Sequence, residues 1–133
     1  MHDLSPSLFD YVVSTKATDD FTVRIFDQTS PLHSDLSLCS VYIGFAVIPA
    51  SFDSIRVLSS RHGFLLGSRV PVFGRGAPFR SGLVRCVVDR VALSVSFYKD
   101  GVYYANVEWK SLAQAPTHAY VAFERPGVSV ELL

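Results

Sequence analysis

The chain has 133 residues, of which 49% are apolar and 18% are charged, and its formal net charge at pH 7 is zero. This composition excludes an intrinsically disordered chain, because enough apolar surface is available to offset the entropy of ordering, and the length suits a single core. No apolar run approaches the roughly 20 residues that span a bilayer, and Met1–Asp10 has neither a basic leader nor an apolar signal core, so the sequence predicts a cytoplasmic (cytosolic or nuclear) protein without membrane contact.

Alternation of apolar and polar residues with period two is the dominant pattern along the chain, and it is typical of half-buried strands. Residues 1–20 show it least and are predicted to be an N-terminal extension or a first edge strand, whereas residues 21–133 are predicted to form one domain. Val41–Ile48 is apolar on both parities, which indicates a central strand. The predicted strands are Phe21–Asp27, Val41–Ile48, Ser54–Leu58, Gly63–Leu66, Leu83–Val88, Val91–Phe97, His118–Glu124 and Val128–Leu132. Many short strands without helical spacing predict an all-β, two-sheet antiparallel β-sandwich.

A hairpin turn follows the strand that ends at Phe97. A two-residue Asp-Gly loop would set Val95 opposite Asn106 and place a polar residue in the core row. A three-residue loop over Lys99–Gly101, with its glycine left-handed, instead sets Val95 opposite Ala105. We therefore predict the three-residue loop. The core row that follows from this register is Val91, Leu93, Val95, Phe97, Ala105, Val107 and Trp109.

Charge is segregated along the chain although the total is zero. Residues 1–54 carry two basic and seven acidic side chains, whereas residues 55–90 carry seven arginines and one aspartate. Two interpretations stay open. Clustered guanidinium groups favour an anionic partner, for example an acidic peptide, but arginine also fills outward strand positions without any ligand, which is the simpler interpretation.

Side chains with reactive or metal-binding chemistry are present but do not form a recognisable motif. The two cysteines, Cys39 and Cys86, lie within apolar stretches, where a thiol usually acts as a small core residue. Gly74–Gly76 lacks the lysine and helix of a phosphate-binding loop and indicates a surface turn. The histidines are scattered, at His2, His33, His62 and His118. The sequence therefore predicts no catalytic residues, no metal, no cofactor and no enzyme. Nucleic-acid binding is also disfavoured, because Tyr98 and Tyr104, predicted to face outward, are remote from the arginines.

From Phe21 onward the chain resembles a SPRY domain. Phe21–Ile25 resembles the opening strand of that family, and Tyr42–Ala46 resembles its aromatic-x-Gly-x-Ala strand. The most specific match is Leu93–Val102, which is similar to the family's Ser-Phe-x-Lys-Asn-Gly-Val hairpin. Two residues depart from the family pattern, because Arg85 stands where a glycine is usual and Asp100 where an asparagine is usual.

The resemblance implies a concanavalin-like sandwich that recognises a protein or peptide through loops at one end of its sheets, in the manner of an adaptor and as part of a chain that can carry other domains. We expect the binding loops at Thr29–Asp35, Pro49–Asp53, Arg75–Arg80 and Lys110–Thr117. The candidate partner-binding residues are His33, Phe52, Arg61, Arg75 and Arg80. The alternative is a lectin-like carbohydrate-binding domain, which would require an exposed aromatic ring such as that of Trp109.

Overall fold

The computed structural model describes residues 10–27, 41–47, 55–59, 63–66, 71–73, 79, 81–113, 116–123 and 127–133. Within these residues the chain is almost entirely extended, with one 3₁₀ turn at Lys110–Ala113. The described strands are β1 (Asp10–Ala17), β2 (Asp20–Asp27), β3 (Val41–Val47), β4 (Ile55–Ser59), β5 (Gly63–Leu66), β6 (Pro71–Phe73), β7 (Gly82–Asp89), β8 (Ser94–Lys99), β9 (Val102–Glu108), β10 (Thr117–Phe123) and β11 (Val128–Leu132). No helix in these ranges is long and apolar enough to cross a membrane.

These strands form two antiparallel sheets. Sheet A has six strands in the order β1-β10-β3-β4-β5-β6, and sheet B has five in the order β11-β2-β7-β8-β9. The predicted all-β, two-sheet antiparallel sandwich is therefore confirmed. β1 forms one edge of sheet A, where it pairs with β10. The domain boundary at residue 20 stays a prediction.

The core lies between the two sheets and is built from alternate residues of the facing strands. From sheet A it takes Val41, Ile43 and Phe45, each of which is fully buried. Sheet B contributes Phe21, Val23, Ile25, Val84, Cys86, Val88, Val95 and Phe97. Cys86 is thus a core residue, as predicted, while Cys39 lies outside the described residues. The period-two pattern marks these positions because only one parity of each strand faces the opposite sheet.

Strands β3 and β10 have buried residues on both faces. The prediction of a central strand at Val41–Ile48 is confirmed, since β3 lies between β10 and β4 and its first six residues are buried. The outer face of sheet A carries a second apolar cluster of Tyr42, Ala46, Tyr120 and Ala122. The prediction that residues 118–124 form a half-buried strand is therefore wrong. Burial also raises the pKa of Tyr120 to about 12.

The predicted three-residue hairpin loop is wrong. Lys99 pairs with Val102, so the turn is the two-residue Asp100-Gly101, and both residues have positive φ (53° and 82°), as a primed turn requires. The register then shifts between Phe97 and Tyr98, which places one extra residue in β9. This bulge restores the parity that a two-residue loop alone would break, because Val95 now pairs with Val107. Trp109 still reaches the core, as predicted, and is only 1% exposed.

Two side chains of this hairpin face the opposite way from the prediction. Val91 is 96% exposed and lies in a turn, because Asp89 Oδ1 accepts hydrogen bonds from the amides of Val91 and Ala92, each at 3.0 Å, and bends the chain before β8 begins. Tyr104, predicted to face outward, packs against the core because the bulge in β9 turns it inward.

The sandwich has two chemically different ends. We call one the hairpin end: it contains the Asp100-Gly101 turn together with the ends of β2 and β7 at Asp27 and Gly82. The other is the clamp end, which contains the corner Thr18-Asp19, the turn Arg90–Leu93 and the Lys110–Thr117 loop. The register of the paired strands fixes this assignment.

Candidate interaction surface

The five candidate binding residues, His33, Phe52, Arg61, Arg75 and Arg80, all lie outside the described residues. The strands on either side of each one nevertheless have defined ends. On either side of Phe52, β3 ends and β4 begins at the clamp end. The strands that flank His33, Arg61, Arg75 and Arg80 end or begin at the hairpin end. Of the four predicted binding loops, Lys110–Thr117 is the one whose structure is largely described.

An ion pair between Arg90 and Asp19 occupies the centre of the clamp end. Arg90 follows β7 and Asp19 precedes β2, and these strands pair antiparallel, so the two residues become neighbours. Arg90 Nε donates to Asp19 Oδ2 at 2.8 Å, and Arg90 Nη2 donates to Asp19 Oδ1 at 2.8 Å. Such a two-point contact fixes the plane of the guanidinium group as well as its position.

The same guanidinium group also binds the Lys110–Thr117 loop. Arg90 Nη1 donates to the carbonyl oxygen of Leu112 at 2.8 Å, and Nη2 donates to Thr117 Oγ1 at 3.3 Å. The loop is anchored from its inner side as well, because Leu112 is 2% exposed and Trp109 is 1% exposed. The amide of Trp109 donates to the carbonyl oxygen of Leu93 at 2.7 Å, which ties the loop to the preceding turn.

Thr117 is a fully buried polar residue whose hydroxyl group bonds the corner Thr18-Asp19, which precedes β2. Thr117 Oγ1 lies 2.7 Å from the carbonyl oxygen of Thr18 and 2.8 Å from Asp19 Oδ1, so its single proton can serve either acceptor. The amide of Thr18 in turn donates to the carbonyl oxygen of Thr117 at 2.8 Å. A buried hydroxyl without such partners would carry a desolvation cost of about 1–3 kcal/mol.

The ion pair is fully charged at neutral pH. The hydrogen bond from Arg90 lowers the pKa of Asp19 below its ordinary value of 3.8, although partial burial acts in the opposite direction. The same bond raises the pKa of Arg90 above its already high ordinary value. The clamp therefore persists at all pH values at which the Asp19 carboxylate stays ionised.

The clamp end presents both apolar and basic side chains to solvent. Val91 is 96% exposed at the tip of its turn, and Arg90 and Ala92 of the same turn are exposed as well. Among the described residues of the neighbouring loop, Lys110, Ala113 and Pro116 are exposed. The arrangement can offer apolar contacts, one ammonium group and the outer part of the Arg90 guanidinium group, in a geometry that Asp19 and the buried anchors determine.

The segregation of charge along the sequence is partly cancelled within the fold. Besides the Arg90 pair, Arg85 donates to both carboxylate oxygens of Asp20, at 3.0 and 2.6 Å, and its guanidinium carbon lies 5.8 Å from the centre of the Tyr98 ring. Two of the seven arginines in residues 55–90 therefore have acidic partners in the same chain. These contacts give Arg85 a structural role in the described part of the fold.

At the hairpin end, the Asp100-Gly101 turn contacts the start of β7, and the amide of Asp27 donates to Ser81 Oγ at 3.1 Å. Asp100 Oδ1 accepts a hydrogen bond from the amide of Leu83 at 2.8 Å, and its other oxygen contacts Lys99 Nζ. Gly82 has φ of 130°, and a Cβ at that position would lie 2.5 Å from Asp100 Oδ1. The carboxylate of Asp100 thus binds both an amide and an ammonium group.

Reactive side chains in the described part of the chain have structural partners or are buried. Cys86 is completely buried, and burial raises the pKa of its thiol well above the ordinary value. His118 Nδ1 lies 2.9 Å from the carbonyl oxygen of Ser14. No group of three or more His, Cys, Asp or Glu side chains in the described ranges could hold a metal ion.

Sequence reasoning did not identify Arg90, Asp19 or Thr117 as parts of a site. Arg90 and Asp19 were visible only as members of the basic and acidic segments, and alternation within a strand does not indicate which strands pair. A search for opposite charges at the ends of candidate antiparallel neighbours would have suggested the contact. The buried hydroxyl of Thr117 left no signal in the sequence.

Comparisons with known proteins identify the fold. No family model matches the chain, and no curated protein matches it in sequence. Among solved structures 22 chains match, and one of them is the crystal structure of the SPRY domain of human HERC1. That match has a TM-score of 0.59 at 14% sequence identity and covers 92% of this chain and 80% of that chain. The chain therefore has the SPRY-type sandwich that the resemblance of its sequence implied.

Proposed function

Starting from a SPRY-type sandwich, we propose that this chain is a non-enzymatic protein–protein interaction module that recognises a short peptide segment of a partner through loops at the clamp end. The observation that carries the proposal is the Lys110–Thr117 loop, which Arg90 holds through the carbonyl oxygen of Leu112 while neighbouring side chains face solvent. A surface that is ordered before binding loses less conformational entropy when the partner arrives. An adaptor role in the cytoplasm is part of the same proposal.

The non-enzymatic character is supported by the burial of Cys86, the cysteine in the described part of the chain. The Cys86 thiol is fully buried and its pKa is raised, so it has neither the access nor the thiolate fraction that nucleophilic catalysis requires. The lectin-like alternative required an exposed aromatic ring at Trp109. That side chain is 1% exposed, so Trp109 cannot be the stacking ring of a carbohydrate site.

The acidic character of the partner is a finer part of the proposal. It rests on Arg75 and Arg80, which belong to a segment whose flanking strands end at the hairpin end. In this proposal these arginines attract an acidic partner over a distance, and the contacts with the peptide lie at the clamp end. The double variant Arg75→Ala/Arg80→Ala is therefore expected to weaken the binding of an acidic peptide and to reduce the salt dependence of its affinity. We expect no change in thermal stability.

Selection of peptides on the intact chain tests the proposal. A phage-displayed library of random peptides is panned on the immobilised chain, with an unrelated β-sandwich of similar size as the control. We expect one sequence motif to be enriched on the chain alone, and Phe52→Ala and Lys110→Ala to lower the affinity of the corresponding synthetic peptide in calorimetric titrations. A library that yields no motif beyond those found on the control would refute the proposed function.

A further inference from the structure

The guanidinium group of Arg90 bonds two segments that are far from it in the sequence. It bonds Asp19 through Nε and Nη2, the carbonyl oxygen of Leu112 through Nη1, and Thr117 Oγ1 through Nη2. All three of its nitrogens are therefore engaged, and they face two different backbone segments. Neither Asp19 nor Leu112 is near Arg90 in the chain.

We infer that Arg90 is the positioning residue of the partner-binding surface, which sets the Lys110–Thr117 loop in the conformation that the partner recognises. This inference rests on the proposed function. Arg90 contacts the loop at Leu112 and Thr117, beside the exposed positions Lys110, Ala113 and Pro116, and we expect it to act on the partner through them.

The argument depends on the shape of the arginine side chain. A guanidinium group is planar and carries five N–H donors, so it can bind a carboxylate on one edge and a carbonyl oxygen on another. A lysine at the same position could retain the charge pair with Asp19. Its single ammonium nitrogen cannot reproduce the two-point contact with Asp19 and also reach the carbonyl oxygen of Leu112. Arg90→Lys is therefore expected to keep the charge pair with Asp19 and to lose the hydrogen bond that positions the loop.

The chain offers a matched control in Arg85. This residue also makes a two-point contact with an aspartate, Asp20, and it lies on β7, the strand that Arg90 follows. Its described contacts are with Asp20 and the ring of Tyr98, at the side of the sheet and away from the Lys110–Thr117 loop. Arg85→Lys thus perturbs an equivalent ion pair without touching the loop.

The first measurement is amide hydrogen exchange by NMR on the intact wild-type chain and on both lysine variants. In Arg90→Lys we expect the amides of Trp109 and Leu112 to exchange about tenfold faster or more, because a charge-assisted hydrogen bond of the loop is lost. The amides of Val84 and Val95 should keep their rates, which shows that the fold is intact. Arg85→Lys should leave the Trp109 and Leu112 rates unchanged. Equal rates in the two variants would overturn the inference.

The second measurement is the affinity of the peptide selected on the wild-type chain. We expect Arg90→Lys to weaken it about tenfold and Arg85→Lys to change it by less than about twofold. Faster exchange with unchanged affinity would overturn the inference, because the partner would then not depend on the loop position. The absence of any binding peptide would refute the proposed function, while the exchange rates would still decide whether Arg90 positions the loop.

Discussion

The two ends of the sandwich both contain a charged pair and a tight turn, but they are held together differently. At the clamp end, Arg90 bonds Asp19 and the backbone of Leu112, which are distant in the chain. At the hairpin end, Asp100 bonds the amide of Leu83 on the neighbouring strand and its own neighbour Lys99. The difference is that one side chain, Arg90, bonds two distant segments at the clamp end, whereas each of these hairpin-end contacts joins Asp100 to one neighbour. A side chain that bonds several segments can present them as one surface.

The largest expected difference between the two ends concerns their aromatic side chains. Trp109→Ala at the clamp end should lower the free energy of unfolding by about 3–5 kcal/mol, because it empties a fully buried position beside Leu112. The control is Tyr103→Ala near the hairpin end, where the side chain is 59% exposed and should cost about 1 kcal/mol or less. Urea unfolding measures both values. Similar losses in the two variants would mean that Trp109 does not anchor the clamp end.

A pair of glycines sharpens the description of the hairpin end. Gly82→Ala should lower the free energy of unfolding by about 2–4 kcal/mol, since it adds a Cβ in contact with the Asp100 carboxylate at a φ of 130°. Gly101→Ala has no heavy atom within 4 Å of the added Cβ and should cost only the strain of its positive φ, about 1 kcal/mol. Thermal and urea unfolding distinguish the two. Equal effects would show that the Asp100 contact does not constrain Gly82.

A smaller effect is expected from Asp100→Asn, and it should depend on pH. The hydrogen bond from the Leu83 amide, and then Lys99, lower the pKa of Asp100 below 3.8. Because the pKa is lower in the folded state, the carboxylate stabilises the fold above the unfolded pKa, and this stabilisation is lost as the pH falls through the folded value.

Asp100→Asn should therefore cost at most about 1 kcal/mol at pH 7, since the pair is exposed, and its stability should fall less steeply with acid than that of the wild type. Urea unfolding between pH 3 and pH 7 gives both slopes. Asp19 and Asp20 also have lowered pKa values, so the variant keeps part of the acid sensitivity. Parallel curves for wild type and variant would contradict the assignment.

The alternation of apolar and polar residues was sufficient to predict much of the fold. The predicted bounds of Gly63–Leu66 and Val128–Leu132 agree with β5 and β11, because the period-two pattern is a direct consequence of strand geometry. The register of the hairpin was not predictable in the same way. A bulge in β9 changes which residues pair without changing which face is apolar, so parity alone predicted the core position of Trp109 but not the two-residue turn.

The candidate surface was less accessible to sequence reasoning. The Lys110–Thr117 loop could be predicted from the gap between strands, but the contact of Arg90 with Asp19 required knowing that β2 and β7 are neighbours. Val91 was assigned to the core because it continues the alternation of β8. The carboxylate of Asp89 binds two amides and ends that alternation early, which is a side-chain effect that the apolar pattern does not record.

The most direct test of the binding end compares two exposed valines, one at each end of the molecule. Val91 at the clamp end is 96% exposed and Val102 at the hairpin end is 68% exposed, so Val91→Glu and Val102→Glu introduce the same change at positions that contribute little to the core. Calorimetric titration with the peptide selected on the wild-type chain measures both. We predict that Val91→Glu weakens binding about tenfold or more and that Val102→Glu changes it by less than about twofold. The opposite order would contradict the assignment of the clamp end as the partner-binding surface.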